Sequence, residues 1–338
     1  MVLLILFLTS AFFTGYAILN FFKIKLSIIL QLTCSLVVGL AVFTLLIFIT
    51  ANKFGLNLQI IVPVSLLLLV FTFLSSFKSL GELKNVNKID FKKNFIFARR
   101  TPWTLSPRMN AKANTYFRVH GSSARSSKLK EIPRALSPWK FIEIIGLLLI
   151  SLVIINVFTK SIFLTNEGIV AGNRLVWTDW PIHFAIASSF AKGDNFPPQN
   201  PLYTGPIMTY PFFSDFLSSV LLVMGLGLKS SFVIPGIILG VSSVLLIFYF
   251  NFFITEDKKT ALLGTFIALF WGGLGFIYFF KDIISSANPL GTLLFPPHEY
   301  TFYEGKNLWF FSFIYSELLP QRGFLFGIPL FFISLILL

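Results

Sequence analysis

The chain has 338 residues, of which 55% are hydrophobic and only 12% charged, and its mean hydropathy is +0.81. A soluble protein carries about 25% charged residues, so these figures exclude a water-facing globular chain and point to a polytopic membrane protein. The net charge of +13 is local: 15 of the 27 Lys/Arg but only 3 of the 14 acids lie between Lys78 and Lys140. A nucleic-acid partner is not expected, because no aromatic-interleaved binding module accompanies the basic residues. A polybasic loop of this kind stays cytoplasmic and attracts anionic membrane lipids.

Crossing ~30 Å of hydrocarbon takes about 20 apolar residues. Windows of roughly that size run from Val2 to Phe22, Leu26 to Thr50, Leu58 to Phe77, Phe141 to Leu164, Tyr210 to Leu228, Phe232 to Ile254, Ala261 to Phe280 and Phe324 to Leu338. Backbone amides in lipid must be satisfied inside a helix or a closed barrel, and these runs lack a two-residue alternation. The expected fold is therefore all-α, a transmembrane bundle of seven or eight spans. Three blocks are expected: helices over 1–77, a basic loop with little fixed structure over 78–139, and a second helical block over 140–338.

The first 22 residues carry no charge, and Lys23 and Lys25 follow them, the reverse of a secretory signal. Cys34 is the single cysteine, so no intrachain disulfide can form. With the basic loop inside, the helix starting at Phe141 exits outward and Thr165 to Met208 is expected to be extracytoplasmic. Beyond it two paths stay open. If Tyr210 to Leu228 crosses fully, Lys258 and Lys259 lie outside; if it dips and returns, they lie inside and the Lys281-to-Arg322 loop lies outside. Asp215 near the start of that run makes the dip plausible, since a carboxylate at mid-bilayer costs about 2.5–3.5 kcal/mol, and the sequence does not decide between the two. The last window holds only 15 residues before Leu338, so the sequence reads as a fragment of a longer bundle.

Candidate chemistry begins at Thr178-Asp179-Trp180-Pro181-Ile182-His183. Pro181 suits the first turn of a helix, with Thr178 or Asp179 as its cap. Asp179 and His183 then share one face, on a short interfacial helix that ends near Gly193. The following loop is stiffened by Pro197, Pro198, Pro201, Pro206 and Pro211, and it presents Tyr203 and Tyr210 as substrate contacts. Capping and interface anchoring are the plain alternatives for the acid and the aromatics.

The order of apolar helix, external Asp179, short helix with His183 and Gly193, then Phe196-Pro197-Pro198, Gly205 and Tyr210-Pro211 resembles the GT-C superfamily of polytopic membrane glycosyltransferases. The resemblance covers about Phe141 to Leu338. It implies an inverting transferase that uses a polyprenyl-phosphate sugar donor on the extracytoplasmic face of the cell membrane. Asp179 would be the essential acid, as general base or as a ligand to a divalent cation, the one cofactor the resemblance brings in. The sequence departs from the family in having no second acid beside Asp179 and no Asp-x-Asp, and in placing three helices before the matching block.

Such a reaction needs a carboxylate to take the acceptor proton and donors for the phosphate leaving group. Arg174 is the first choice for the phosphate because its fork binds two oxygens; Lys192 and Arg322 are the others. His298-Glu299, after Pro296-Pro297, forms a second candidate pair that can serve Asp179 only if both loops share a face. Trp271-Gly272-Gly273-Leu274-Gly275 reads as a helix contact, kink or break and not as a phosphate loop, because no Lys-Ser/Thr follows. A transporter or flippase would instead need charges within the membrane and broken helices in matched halves, and a scaffold would need only packed loops.

Overall fold

A computed structural model describes residues 1–24, 26–83, 141–203 and 205–338. The basic loop falls almost wholly outside these residues, apart from its first few, which continue a helix to Leu83. The protein is predominantly helical. In chain order come α1 (Val2–Phe21), α2 (Ile28–Phe54), α3 (Leu58–Leu83) and α4 (Phe141–Thr159), then a hairpin of β1 (Ile162–Thr165) and β2 (Gly168–Ala171). They are followed by α5 (Arg174–Lys192), α6 (Phe213–Val223), α7 (Leu228–Thr255), α8 (Lys258–Phe270), α9 (Gly275–Ser285) and α10 (Pro289–Leu294). A small ribbon of β3 (Phe302–Tyr303) and β4 (Leu308–Trp309), a π-turn (Phe313–Leu318) and α11 (Gly323–Leu337) complete the order.

Among the described residues four helices, α1, α2, α4 and α7, are long and apolar enough to cross a membrane, and α8 with α9 makes a fifth only if that bent pair is one span. This is fewer than the eight apolar windows suggest: the described apolar part of α3 is the shorter Leu58–Leu74, and three other windows fall short for local reasons. The Tyr210-to-Leu228 window yields an 11-residue helix, about 16 Å at 1.5 Å per residue, and breaks at Gly225, which has a φ of +91°. The Ala261-to-Phe280 window breaks at Trp271–Leu274, and its halves meet at 90°. Helix α11 has 15 residues. Two antiparallel ribbons also qualify the all-α expectation.

The path of the chain follows from a few contacts. At one end, an added Cβ on Gly55, after α2, would lie 2.9 Å from Asp194 Oδ1, after α5. At the same end Lys229, opening α7, stands over the Phe163 ring of β1 at 5.4 Å. At the other end Ser27 meets Tyr249 at 3.3 Å, and Gly146 of α4 lies against Leu262 of α8. Helix α6 therefore dips inward from the end that carries the β1–β2 hairpin, and the chain returns to that end before α7 starts. Of the two paths the sequence leaves open, the structure has the dip and return. It places the turn around Lys258 and Lys259 opposite the two polar loops.

Aromatic packing holds α5 and α6 on the bundle. Phe48 of α2, Phe190 of α5 and Phe216 of α6 stack mutually edge to face, with centroids 5.1–6.5 Å apart. Phe212 and Phe196 close the same cluster.

Candidate functional site

Helix α5 starts at Arg174 because Asn173 caps it, its side-chain oxygen accepting from the Leu175 N–H at 2.8 Å. This corrects the cap expected at Thr178 or Asp179. Pro181 sits in the third turn, where it lacks the N–H that would bond the Trp177 carbonyl. The buried stripe Val176, Trp180, His183, Ala187 and Phe190 steps by four and three and faces the bundle. Asp179 lies on the shoulder of that stripe and is half-buried.

Below it lies a network centred on Asp215 of α6. Asp215 Oδ2 meets His183 Nδ1 at 2.8 Å, and Arg322 Nε donates to Asp215 Oδ1 at 2.6 Å. All three side chains are 0% exposed. Arg322 Nη2 also donates to the Ser214 carbonyl at 3.0 Å and to the Ser218 hydroxyl. The guanidinium lies 4.1 Å from the Phe232 ring centroid. His183 Nε2 and Arg322 Nη1 are buried with no partner among the described residues. His183 therefore pairs with Asp215, and the expected pairing with Asp179 is not formed.

The rim is tied to the network by the stretch after the π-turn. Gln321 Nε2 donates to Asp179 Oδ2 at 2.9 Å, and the Thr178 hydroxyl donates to Oδ1 at 3.2 Å. Trp180 Nε1 donates to the Leu319 carbonyl at 3.2 Å. Both hydrogen-bond partners of Asp179 among the described residues are neutral, whereas Asp215 faces a guanidinium. Tyr210 stands with its ring centroid 5.6 Å from that of His183. Burial first, then the charges of Asp215 and Asp179, raise the Tyr210 phenol above its usual range, so it stays protonated and able to donate.

Arg174 opens the same helix. It contacts Glu304 at 3.4 Å with both side chains well exposed, and it lies 5.5 Å from the Trp309 ring centroid. An exposed pair of this kind is worth about 0–1 kcal/mol, so its guanidinium is readily exchanged to another anion. Burial raises the Glu299 carboxyl above its usual value, and the charge of Arg174 partly opposes that. His298 stacks on Tyr303 with centroids 4.6 Å apart. The two polar loops thus share one end of the bundle, with Arg174 joined to Glu304 and Asp179 to Gln321.

The other sequence candidates stand apart. Lys192 is exposed roughly 20 Å farther along α5, and Tyr203 is 71% exposed on the loop. Arg322 is buried with its charge already met by Asp215. No group of three or more His, Cys, Asp or Glu that could hold a metal occurs among the described residues. Asp179 is a single carboxylate with amide and hydroxyl neighbours, which does not fit a divalent-cation site.

Sequence reasoning used Asp215 only to weigh topology and did not place it in the site. The signal was present, since an ionisable residue inside an apolar run marks a polar centre. Nothing in the sequence singles out Gln321. No protein-family model, curated protein or solved structure matches this chain.

Proposed function

We propose that this protein is a membrane-embedded glycosyltransferase of the GT-C kind, passing a sugar from a polyprenyl-phosphate carrier to an acceptor hydroxyl on the extracytoplasmic side of the cell membrane. The observation that carries the reading is Asp179: a half-buried carboxylate at the mouth of a helical bundle, held by the neutral donors Gln321 and Thr178. In this scheme the acceptor O–H proton passes to Asp179 as the oxygen forms its bond to the sugar C1. The C1–O bond to phosphate breaks on the opposite side with inversion, and the electron pair leaves on the polyprenyl phosphate. Arg174, five residues earlier in the first turn of α5, receives that phosphate in place of Glu304. His183, acting through Asp215 and Arg322, is a positioning residue that fixes α5 on α6 and does not touch substrate.

The test is transfer by the full chain in proteoliposomes supplied with a panel of polyprenyl-phosphate sugars and soluble acceptor glycans. Wild-type protein should transfer at least one sugar, and Asp179→Asn should lower transfer about 100-fold or more with unchanged membrane abundance. Full activity in that variant would remove the assignment. A transporter gains support from buried Asp215 and the broken α8–α9 pair, but the described part of α1–α3 has no matching break. Substrate flux in liposomes without any acceptor would favour that reading.

A further inference from the structure

Helix α9 leaves the bundle at a right angle and carries one face that none of the described residues covers. Its predecessor α8 packs along α4 and α7, two of the helices long enough to cross a membrane, and the bend between α8 and α9 is 90°. An 11-residue helix spans about 16 Å, so α9 runs across the bundle axis at the end that bears the candidate site. Its two faces differ. Tyr278, Phe279 and Asp282 support the following loop: Tyr278 packs edge-on to Tyr303 at 5.8 Å, Phe279 to Tyr300 at 5.3 Å, and the Tyr300 hydroxyl donates to Asp282 Oδ2 at 2.6 Å. Phe276, Ile277, Phe280 and Ile284 fall within roughly 100° of arc on the other side, and all are more than half exposed. Lys281 flanks that arc and is exposed. The apolar surface continues into α10, where Leu290, Leu293 and Leu294 are exposed and Phe295 follows at 78%. A bond of 2.7 Å between the Thr292 and Ser286 hydroxyls fixes α10 on the end of α9.

We infer that α9 and α10 form an in-plane membrane anchor, with their apolar face sunk into the boundary between headgroups and acyl chains. The occupant follows from the geometry. A helix perpendicular to a membrane-crossing neighbour, apolar on one side, polar on the other and flanked by a lysine that can reach phosphate, has the form of an interfacial helix. Trp271, 61% exposed at the bend, sits where indole rings settle at the lipid–water boundary. The Tyr278–Tyr303–Tyr300 side is then lifted toward water, so the anchor holds the loop that carries Glu299, Glu304 and Trp309 at the height of Asp179. This anchoring does not depend on the reaction assigned to the site.

The experiment uses the full chain in lipid nanodiscs. In a Cys34→Ala background, single cysteines at Phe280, Ile284 and Leu294 are labelled with an environment-sensitive dye, and Asn307→Cys on the loop serves as the reference. Each variant is first checked for a monodisperse elution profile, and the three anchor positions provide independent replicates. Dye at 280, 284 and 294 should be quenched more by lipids spin-labelled near the headgroup than by lipids labelled near the chain end, and it should resist aqueous iodide. Dye at 307 should show the opposite preference. Iodide quenching at the anchor positions equal to that at 307 would overturn the proposal by placing the face in water. Quenching by neither agent would overturn it by showing a protein cover, and stronger quenching from the chain end would show a crossing segment.

Discussion

The α1–α2 pair and the junction of α5, α6 and α11 are both buried, and they are held together by opposite means. Between α1 and α2 the backbones touch: an added Cβ on Gly15 would fall 1.9 Å from the Ser35 carbonyl oxygen, and one on Gly39 1.8 Å from that of Ala11. Ala11 and Gly15, like Ser35 and Gly39, are four apart, which is the small-residue spacing that lets helices approach closely in lipid. The junction near Asp179 has no such contact. There Asp215, His183 and Arg322 are withdrawn from water and must satisfy one another. A buried ion pair is seldom the most stable filling of its space, so its presence beside a half-exposed acid argues for geometry held in place and not for stability gained. The first region is a scaffold, and the second has the features of a site.

That contrast can be broken most severely at Arg322. Arg322→Met leaves Asp215 buried without its cation and should cost about 3–5 kcal/mol, seen as a large drop in the unfolding midpoint in detergent. Adding Asp215→Leu removes the orphaned charge and should restore most of the loss, while the proposed sugar transfer stays low because α5 is no longer positioned. A single variant as stable as wild type would mean that the network is not closed as described. Gly39→Val tests the other region. Overpacking against the α1 backbone should cost about 1–3 kcal/mol in the same unfolding assay, and no paired side-chain substitution on α1 should rescue it, because the atoms met are backbone.

The smallest expected effect concerns pH and the loop carried by α9. Burial, reinforced by the hydrogen bond to Asp282, raises the Tyr300 phenol from 10.0 to about 12. The folded protein therefore keeps a proton that the unfolded chain gives up first, so the contribution is complete below about pH 10 and is lost as pH climbs through about 12. Tyr300→Phe should lower stability slightly at neutral pH and flatten the fall at alkaline pH. The check is the thermal midpoint of the two proteins followed across that range. Identical curves would show that the Tyr300–Asp282 bond does not form.

How much of this was legible in the sequence depended on the kind of signal. Long uniform runs such as Ile28–Phe54 and Leu228–Thr255 could be read directly, because hydrophobic length alone specifies them. Broken runs were overcounted: nothing in composition says that Gly225 or the Trp271–Leu274 stretch ends a helix, since glycine inside an apolar segment serves close contact equally well. Asp179 was singled out because Trp180, Pro181 and a proline-rich loop follow it, although the acid itself lies inside α5 and not in a loop. The partner of His183 was missed because it is set by the fold of α6 onto α5, a contact across 32 residues that local spacing cannot encode. Arg322 was selected for its chemistry, but its charge is spent inside the protein.

The central claim is that α6 dips and returns, so that the segment bearing Asp179 and the loop bearing Glu299 and Gln321 occupy one side of the membrane. Labelling with a membrane-impermeant maleimide tests it directly, using Tyr203→Cys, Asn307→Cys and Lys259→Cys, each in the Cys34→Ala background. The account predicts that positions 203 and 307 react from the same side and position 259 from the other. Reaction of 203 and 307 from opposite sides would contradict it.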